Sequence, residues 1–272
     1  MQTIQISFKS LVAIYFEIFE ELIPQVDIIL RIILRKILSN IESANLLIEQ
    51  GVAREAKILL RSSTESVVLF CYLVQFPDKK DEYIKDSQLL GFKNNFMVYK
   101  NFKNYQDNPI FKEEVAKFSL EKLKEEHENI FEDLHPDNKE KILKEINCEN
   151  YELNDKTLDK LDKFFRYKPF FMDLEKMYRE LVEFKNLSMQ LRELLFTFYN
   201  EDSQIAHGRF QDWTDKKLNE IDISTADMLI SRFARIFVLP IIACQEIEIN
   251  VSQEKMIKLQ QEINNLRGSI GE

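Results

Sequence analysis

The stretch LLRSSTESVVLFCYL, residues 59–73, decides the fold class of this chain. Its apolar residues recur at three- and four-residue spacing, which is the period of an α-helix with one buried face. The same spacing extends on both sides and predicts a helix from about Val52 to Gln75. Arg61 and Glu65 interrupt a helix that is otherwise apolar enough to lie at the centre of a core.

The sequence before this helix repeats the pattern. Apolar residues from about Leu11 to Ile48 predict two helices, with Pro24 in the first turn of the second one, where a missing N–H is tolerated. Gly51 fits the left-handed position that follows a helix end. The chain is therefore expected to leave this helix in a tight turn at Gly51.

The sequence after residue 168 is helical by the same criterion. Helices are predicted over about 171–199 and about 224–250. Ser224 with Asp227 is typical of a capping box at the start of the second of these helices, and Pro240 is expected to kink or break it.

The composition excludes several fold classes. Only 5 Gly and 6 Pro occur in 272 residues, and neither a GxGxxG nor a GxxxxGK[ST] string is present. Rossmann and P-loop folds therefore lack their main signature, and β-sandwiches and barrels lack the turn residues that they need. The chain is predicted to be all-α, a multi-helix bundle of long antiparallel helices with a charged helical insertion.

The predicted domains follow a change of composition. Residues 78–168 are crowded with Lys, Glu, Asp and Asn but keep spaced apolar anchors, so we interpret them as a helical insertion or subdomain. Residues 1–77 and 169–250 form the two halves of the core. Residues 251–272 form an amphipathic C-terminal helix, which is short for a coiled-coil tail.

The bulk charge and the cysteines restrict partners and compartment. The formal net charge of −9 disfavours generic duplex binding, because such binding depends on neutralising many phosphates. The cysteines Cys71, Cys148 and Cys244 are far apart and fit a reducing compartment. No targeting segment and no uncharged stretch of about 20 residues is visible. We expect a cytoplasmic protein with no membrane contact.

Arg61 and Glu65 have two interpretations. They lie one helical turn apart, so they can pair with each other or with neighbouring helices as a structural ion pair. Alternatively they line a polar site between helices, where Arg61 holds an anion and Glu65 orients a base.

Ser203 and His207 form the second polar pair. They are four residues apart in YNEDSQIAHG, residues 199–208, and share one helix face. The other histidines, His127 and His135, lie among charged residues and are predicted to face solvent. No CxxC, HxxxH or HExxH spacing occurs, so we expect no metal and no cofactor.

These two segments resemble known proteins. The R-S-x-x-E motif at residues 61–65 and the Y-x-x-x-S-x-x-x-H motif at residues 199–207 are similar to those of an uncharacterised all-helical bacterial family. They are also distantly similar to HEPN (higher eukaryotes and prokaryotes nucleotide-binding) proteins, many of which are ribonucleases in toxin–antitoxin and antiphage systems. That resemblance implies that His207 moves protons during attack of an RNA 2′-OH. The arginine that HEPN ribonucleases carry four to six residues before the histidine is absent, and we hypothesise that Arg61 replaces it.

Two functions follow from these residues. The first is a metal-independent ribonuclease or phosphoryl-transfer effector in bacterial defence, with Arg61, Glu65, Ser203 and His207 at the site and RNA or a nucleotide as ligand. The second is a helical interaction or scaffold protein in which the same residues form an interhelical network. In that case the charged region and the C-terminal helix offer surfaces for a protein partner or a second copy of the chain.

Overall fold

The computed structural model describes residues 5–84, 87, 140, 174–195 and 221–270, and the statements below concern these residues. They form helices and no strand, which confirms the predicted all-α class. The helices are α1 (Lys9–Leu22), α2 (Ile28–Glu49), α3 (Ala53–Gln75), α4 (Leu174–Leu181), α5 (Lys185–Glu193), α6 (Ile223–Gln245) and α7 (Gln253–Ser269).

The start of α2 differs from the prediction, and its end agrees with it. Pro24 lies in a 3-10 turn, Ile23–Gln25, and α2 begins only at Ile28. The reason is Asp27, whose carboxylate accepts hydrogen bonds from the backbone N–H groups of Ile29 and Leu30 and fixes the helix start there. Gly51 has a φ of 72°, as predicted for the residue after the helix end.

The structure corrects the predicted cap of α6 and excludes a break at Pro240, while the alternative of a kink stays a prediction. The N-cap is Asp222 and not Ser224, because the Asp222 carboxylate accepts a 2.8 Å hydrogen bond from the backbone N–H of Thr225. Pro240 does not end the helix, which continues to Gln245. Pro240 is buried, so packing around it offsets the backbone bond that proline cannot make.

Helix α3 is the central element. It packs against α2, α4 and α6, and its residues Leu60, Val67 and Phe70 are completely buried. It runs antiparallel to α2, since a short turn joins them and Asn40 donates a 3.2 Å hydrogen bond to Ser62 Oγ. The apolar period of residues 59–73 predicts a helix at the centre of the core, and α3 occupies that position.

Helices α3 and α6 run parallel. The Cys71 thiol donates to the carbonyl oxygen of Leu239 at 3.8 Å, and the Gln75 amide donates to that of Ala243 at 3.2 Å. Both bonds join residues 168 positions apart, so one offset relates the two helices along this contact. The helices that pack against α3 are therefore not all antiparallel to it, because α6 runs parallel.

The C-terminal helix α7 belongs to the core. It packs against α1 and α6 and buries Leu259 and Ile263. Lys255 forms a 2.9 Å ion pair with Glu21, and the backbone N–H of Ser252 donates to the same carboxylate at 2.8 Å. The buried stripe of this helix is thus occupied within the chain, which argues against a free coiled-coil tail.

The chain divides into two compact units. One comprises residues 1–77 with 174–272, and the other comprises residues 78–173. The sequence predicts boundaries after residues 77, 168 and 250, and that scheme of four segments stays a prediction. Helix α3 is long and apolar enough to cross a membrane by length and composition, but most of its apolar stretch is buried in the structure.

Candidate functional site

The hydroxyl groups around the first motif are used inside α3. Ser63, Thr64 and Ser66 each donate to the backbone carbonyl four residues earlier, at 2.9 to 3.0 Å. This local bonding satisfies polar groups that are almost completely buried. The hydroxyls of this run are therefore structural, and Arg61 and Glu65 are the side chains that carry its charge.

Arg61 and Glu65 form an ion pair within α3. Arg61 Nε lies 3.3 Å from Glu65 Oε1, without the angle of a hydrogen bond. The side chain of Arg61 is 18% exposed and that of Glu65 is 40% exposed. Each residue also has a further interaction partner. The pair thus lies at the border between core and solvent, where a ligand has access to the carboxylate end.

Three further basic residues are buried on the central helices. Arg54 and Lys57 of α3 are each 8% exposed, and Arg232 of α6 is 3% exposed. A buried cation is costly unless an anion or strong acceptors surround it, and each of the three has an interaction partner. Buried basic side chains are consequently concentrated on α3 and α6.

The helix register places Arg232 beside this group. The offset of 168 residues brings Arg232 level with Thr64, and Arg61 lies three residues earlier, about 4.5 Å along the axis. Arg232 precedes Leu239 by seven residues, about two turns, so it shares the face of α6 that meets α3. Arg232 and Arg61 therefore lie at nearly the same height along the two helices.

Arg235, one turn further along α6, anchors α5. Its guanidinium forms an ion pair with Glu193 at the end of α5 and donates to the carbonyl oxygen of Ser231 at 3.1 Å. The contact holds the end of α5 against α6. The next residues along the chain lead into the segment that carries the second sequence motif.

Ser203 and His207 lie outside the described residues. The structure therefore gives no geometry for this pair and does not test whether His207 approaches Arg61. The two ends of the segment are described: Glu193 is tied to Arg235, and Asp222 caps α6. Both ends of the segment are thus fastened to the helix that carries Arg232.

Sequence reasoning missed Arg54, Lys57 and Arg232. The sequence does mark Arg232, because it stands among the apolar residues of SRFARIFVLP, residues 231–240. A solvent-exposed helix face is not expected there. A basic residue at an apolar position of a core helix is as informative as the pair Arg61 and Glu65.

The remaining reactive groups do not extend the site. Within the described ranges, no group of three His, Cys, Asp or Glu side chains is placed to hold a metal ion. Cys71 and Cys244 are buried free thiols, and burial raises the pKa of both, that of Cys244 to about 12. A thiol in such surroundings is a poor nucleophile at neutral pH.

Comparison with known proteins gives a family. Residues 27–220 match DUF5677, a family of unknown function, and the chain belongs to this family. The matched range includes both sequence motifs and ends just before α6. No curated protein and no solved structure matches the chain.

Proposed function

We propose that this member of the DUF5677 family is a HEPN-like, metal-independent ribonuclease or related phosphoryl-transfer effector. Its role would be in bacterial antiphage or toxin–antitoxin defence in the cytoplasm. The observation that supports the proposal is the concentration of buried basic side chains on α3 and α6, together with the ion pair of Arg61 and Glu65. Such a group suits the negative charge that develops on a phosphate during transfer.

The proposed reaction needs no metal. His207 removes the proton of an RNA 2′-OH, the 2′-oxygen forms a bond to phosphorus, and the bond from phosphorus to the 5′-oxygen breaks. The 5′-oxygen leaves with a proton from a general acid, and the products are a 2′,3′-cyclic phosphate and a 5′-OH. Arg61 stabilises the pentavalent phosphorane, Glu65 holds the Arg61 guanidinium, and Ser203 orients His207.

The local charge reconciles RNA binding with an acidic chain. A net charge of −9 repels RNA at long range, but affinity at contact depends on the few cations that touch phosphate. Arg61, whose side chain is 18% exposed, is the cation of this group that is open to solvent. We therefore expect binding that weakens with added salt, by a slope of about 0.7 in log affinity against log salt for each phosphate contact.

The test is cleavage of RNA by the purified full chain. We expect His207→Ala and Arg61→Gln to abolish cleavage, while His127→Ala, a histidine predicted to face solvent, cleaves like wild type. The products should carry a 2′,3′-cyclic phosphate, and added EDTA should leave the rate unchanged. Equal cleavage by wild type and His207→Ala, or none by either, contradicts the proposal.

A second function rests on the ion pair itself. Arg61 and Glu65 are one turn apart on the same helix and contact each other, which is the arrangement of a structural pair in a scaffold protein. This scaffold would bind a protein partner or a second copy of the chain. If it is the function, Glu65→Ala lowers the free energy of unfolding by about 0.3–1 kcal/mol and no variant affects RNA. Urea denaturation beside the cleavage assay separates the two proposals.

A further inference from the structure

We propose that the exposed face of α2 binds the same face of a second copy of the chain, with the two helices antiparallel. Helix α2 packs against α1 and α3 inside the chain, and the residues of the proposed face are exposed. The interface does not depend on the proposed reaction, because none of its residues belongs to the candidate site.

Exposed side chains run along α2 with the spacing of a coiled-coil seam. The stripe consists of Ile28, Ile32, Arg35, Ser39, Glu42 and Leu46. Its alternating steps of four and three residues keep one face of a helix against a partner helix over its whole length. The ends of the stripe are apolar, since Ile28, Ile32 and Leu46 are 63%, 60% and 55% exposed. A second helix laid along the stripe would bury this apolar surface.

The order of charges along α2 favours an antiparallel partner. The first half of the helix holds three basic residues and no acidic one, and the second half holds two acidic residues and no basic one. These residues are Arg31, Arg35, Lys36, Glu42 and Glu49. The order opposes the helix dipole, which favours acidic side chains near the start and basic ones near the end. In an antiparallel pair the basic half of one copy lies along the acidic half of the other, so the charges become complementary.

The two charged residues of the stripe are available for such a contact. Arg35 and Glu42 are seven residues apart, about 10.5 Å along the axis, so they do not pair with each other. In the described part of the chain, neither of them has an ion pair or a side-chain hydrogen bond. Arg31 and Glu49, by contrast, bond within the chain. A second copy supplies the opposite charge that Arg35 and Glu42 lack.

The stripe also sets the register of the pair, because it is symmetric about the level of Ile37. Ile28 of one copy then lies level with Leu46 of the second copy. Arg35 lies about one turn, roughly 4.5 Å, from the level of Glu42 in the second copy. A parallel pair would place like charges against each other at Arg35 and at Glu42. The charges therefore select the antiparallel arrangement.

The size of the face indicates a weak dimer. From Ile28 to Leu46 the stripe is about 27 Å long and one helix wide. Interfaces of that size lie at the low end of specific protein contacts, and polar side chains occupy the middle of this one. We therefore expect a dissociation constant that is roughly micromolar.

Sedimentation velocity of the full chain between about 1 and 200 μM tests the proposal, because that range brackets such a dissociation constant. We expect Ile32→Glu and Arg35→Glu each to weaken dimerisation at least about tenfold, because each places a carboxylate where Glu42 of the second copy lies. The charge swap Arg35→Glu with Glu42→Arg should restore dimerisation. Ile257→Glu, at an exposed apolar position of α7, is the matched control and should dimerise like wild type.

Cross-linking tests the direction of the pair. Ser39 lies two residues from the level of symmetry, so a short bismaleimide should join two copies of a Ser39→Cys chain. Gln50→Cys should give no cross-link, because its two copies lie about 39 Å apart along the helices. A parallel pair would cross-link at both positions and would contradict the arrangement. Wild type controls for the native thiols.

Three results overturn the proposal. They are a wild-type chain that stays monomeric at every concentration, a dimer that a folded Ile32→Glu or Arg35→Glu chain retains with wild-type affinity, and a charge swap that does not restore dimerisation. A monomer that binds vesicles of phosphatidylserine and phosphatidylcholine through Ile32 would assign the face to a membrane surface instead. The substituted side chains are exposed, so we expect folded chains, and circular dichroism checks this. If Ile32→Glu does not fold, the charge swap decides.

Discussion

The side-chain amide of Gln75 donates a 3.2 Å hydrogen bond to the carbonyl oxygen of Ala243. Ala243 lies in the last turn of α6, where backbone carbonyls have no partner within the helix, so the bond caps α6 with a donor from α3. It also fixes the register between the two helices. That register brings Arg232 to the height of the first sequence motif.

Removal of this cap is expected to cost stability. Gln75→Ala should lower the free energy of unfolding by about 1 kcal/mol, because the carbonyl of Ala243 loses its partner at a part-buried site. Urea denaturation measures the change. Gln245→Ala, at an exposed position at the end of α6, is the matched control and should change it by less than about 0.5 kcal/mol. Equal effects in the two variants would contradict the role of the bond.

Two buried tyrosines are expected to respond differently to loss of the hydroxyl. Tyr72 donates a 2.7 Å hydrogen bond to Glu180 of α4, so Tyr72→Phe should destabilise by about 1–2 kcal/mol. The Tyr15 hydroxyl is buried with no hydrogen-bond partner among the described residues, and burial raises its pKa. Tyr15→Phe should therefore be neutral or stabilising. Thermal unfolding of both variants checks the prediction, and destabilisation by Tyr15→Phe would refute it.

Two glycines offer a test of backbone conformation alone. An added Cβ meets no atom within 4 Å at Gly51 or at Gly268. Gly51 has a φ of 72°, so Gly51→Ala should destabilise by about 1 kcal/mol through backbone strain. Gly268 lies inside α7, so Gly268→Ala should be neutral or stabilising by up to about 1 kcal/mol. The free energies of unfolding should thus change in opposite directions or by clearly different amounts.

The ion pair between Glu21 and Lys255 predicts a pH dependence. Lys255, with a smaller contribution from the Ser252 N–H, holds the pKa of Glu21 below its ordinary value of 4.5. A lowered pKa in the folded state means stability that is present above pH 4.5 and is lost as the pH falls through the folded pKa. At pH 7, Glu21→Gln should be less stable than wild type by about 0.5–1 kcal/mol, and the difference should shrink as the pH falls below 4.5.

The measurement is urea denaturation at neutral and at acidic pH. Glu20→Gln, on the exposed side of α1, is the matched control, and its difference from wild type should be small at neutral pH. A difference between Glu21→Gln and wild type that stays constant as the pH falls through this range would show that the ion pair does not contribute as described.

Half of the candidate site was accessible from sequence. Arg61 and Glu65 stand out because charges interrupt an apolar period, and the structure places them together at the edge of the core. The sequence marks Arg232 by its place among apolar residues, but it does not show which helix lies beside it. Ser203 and His207 stay predictions, because they lie outside the described residues.

The sequence by itself determined the helical class, the central place of residues 53–75 and the turn at Gly51, because apolar period and backbone preference are local properties. Tertiary structure decided which helices are neighbours. The parallel register of α3 and α6, the continuation of α6 through Pro240 and the docking of α7 depend on contacts between residues far apart in the chain. The level of Arg232 along α6 relative to the first sequence motif follows from the same register, since a shared helix interface is created only when the core packs.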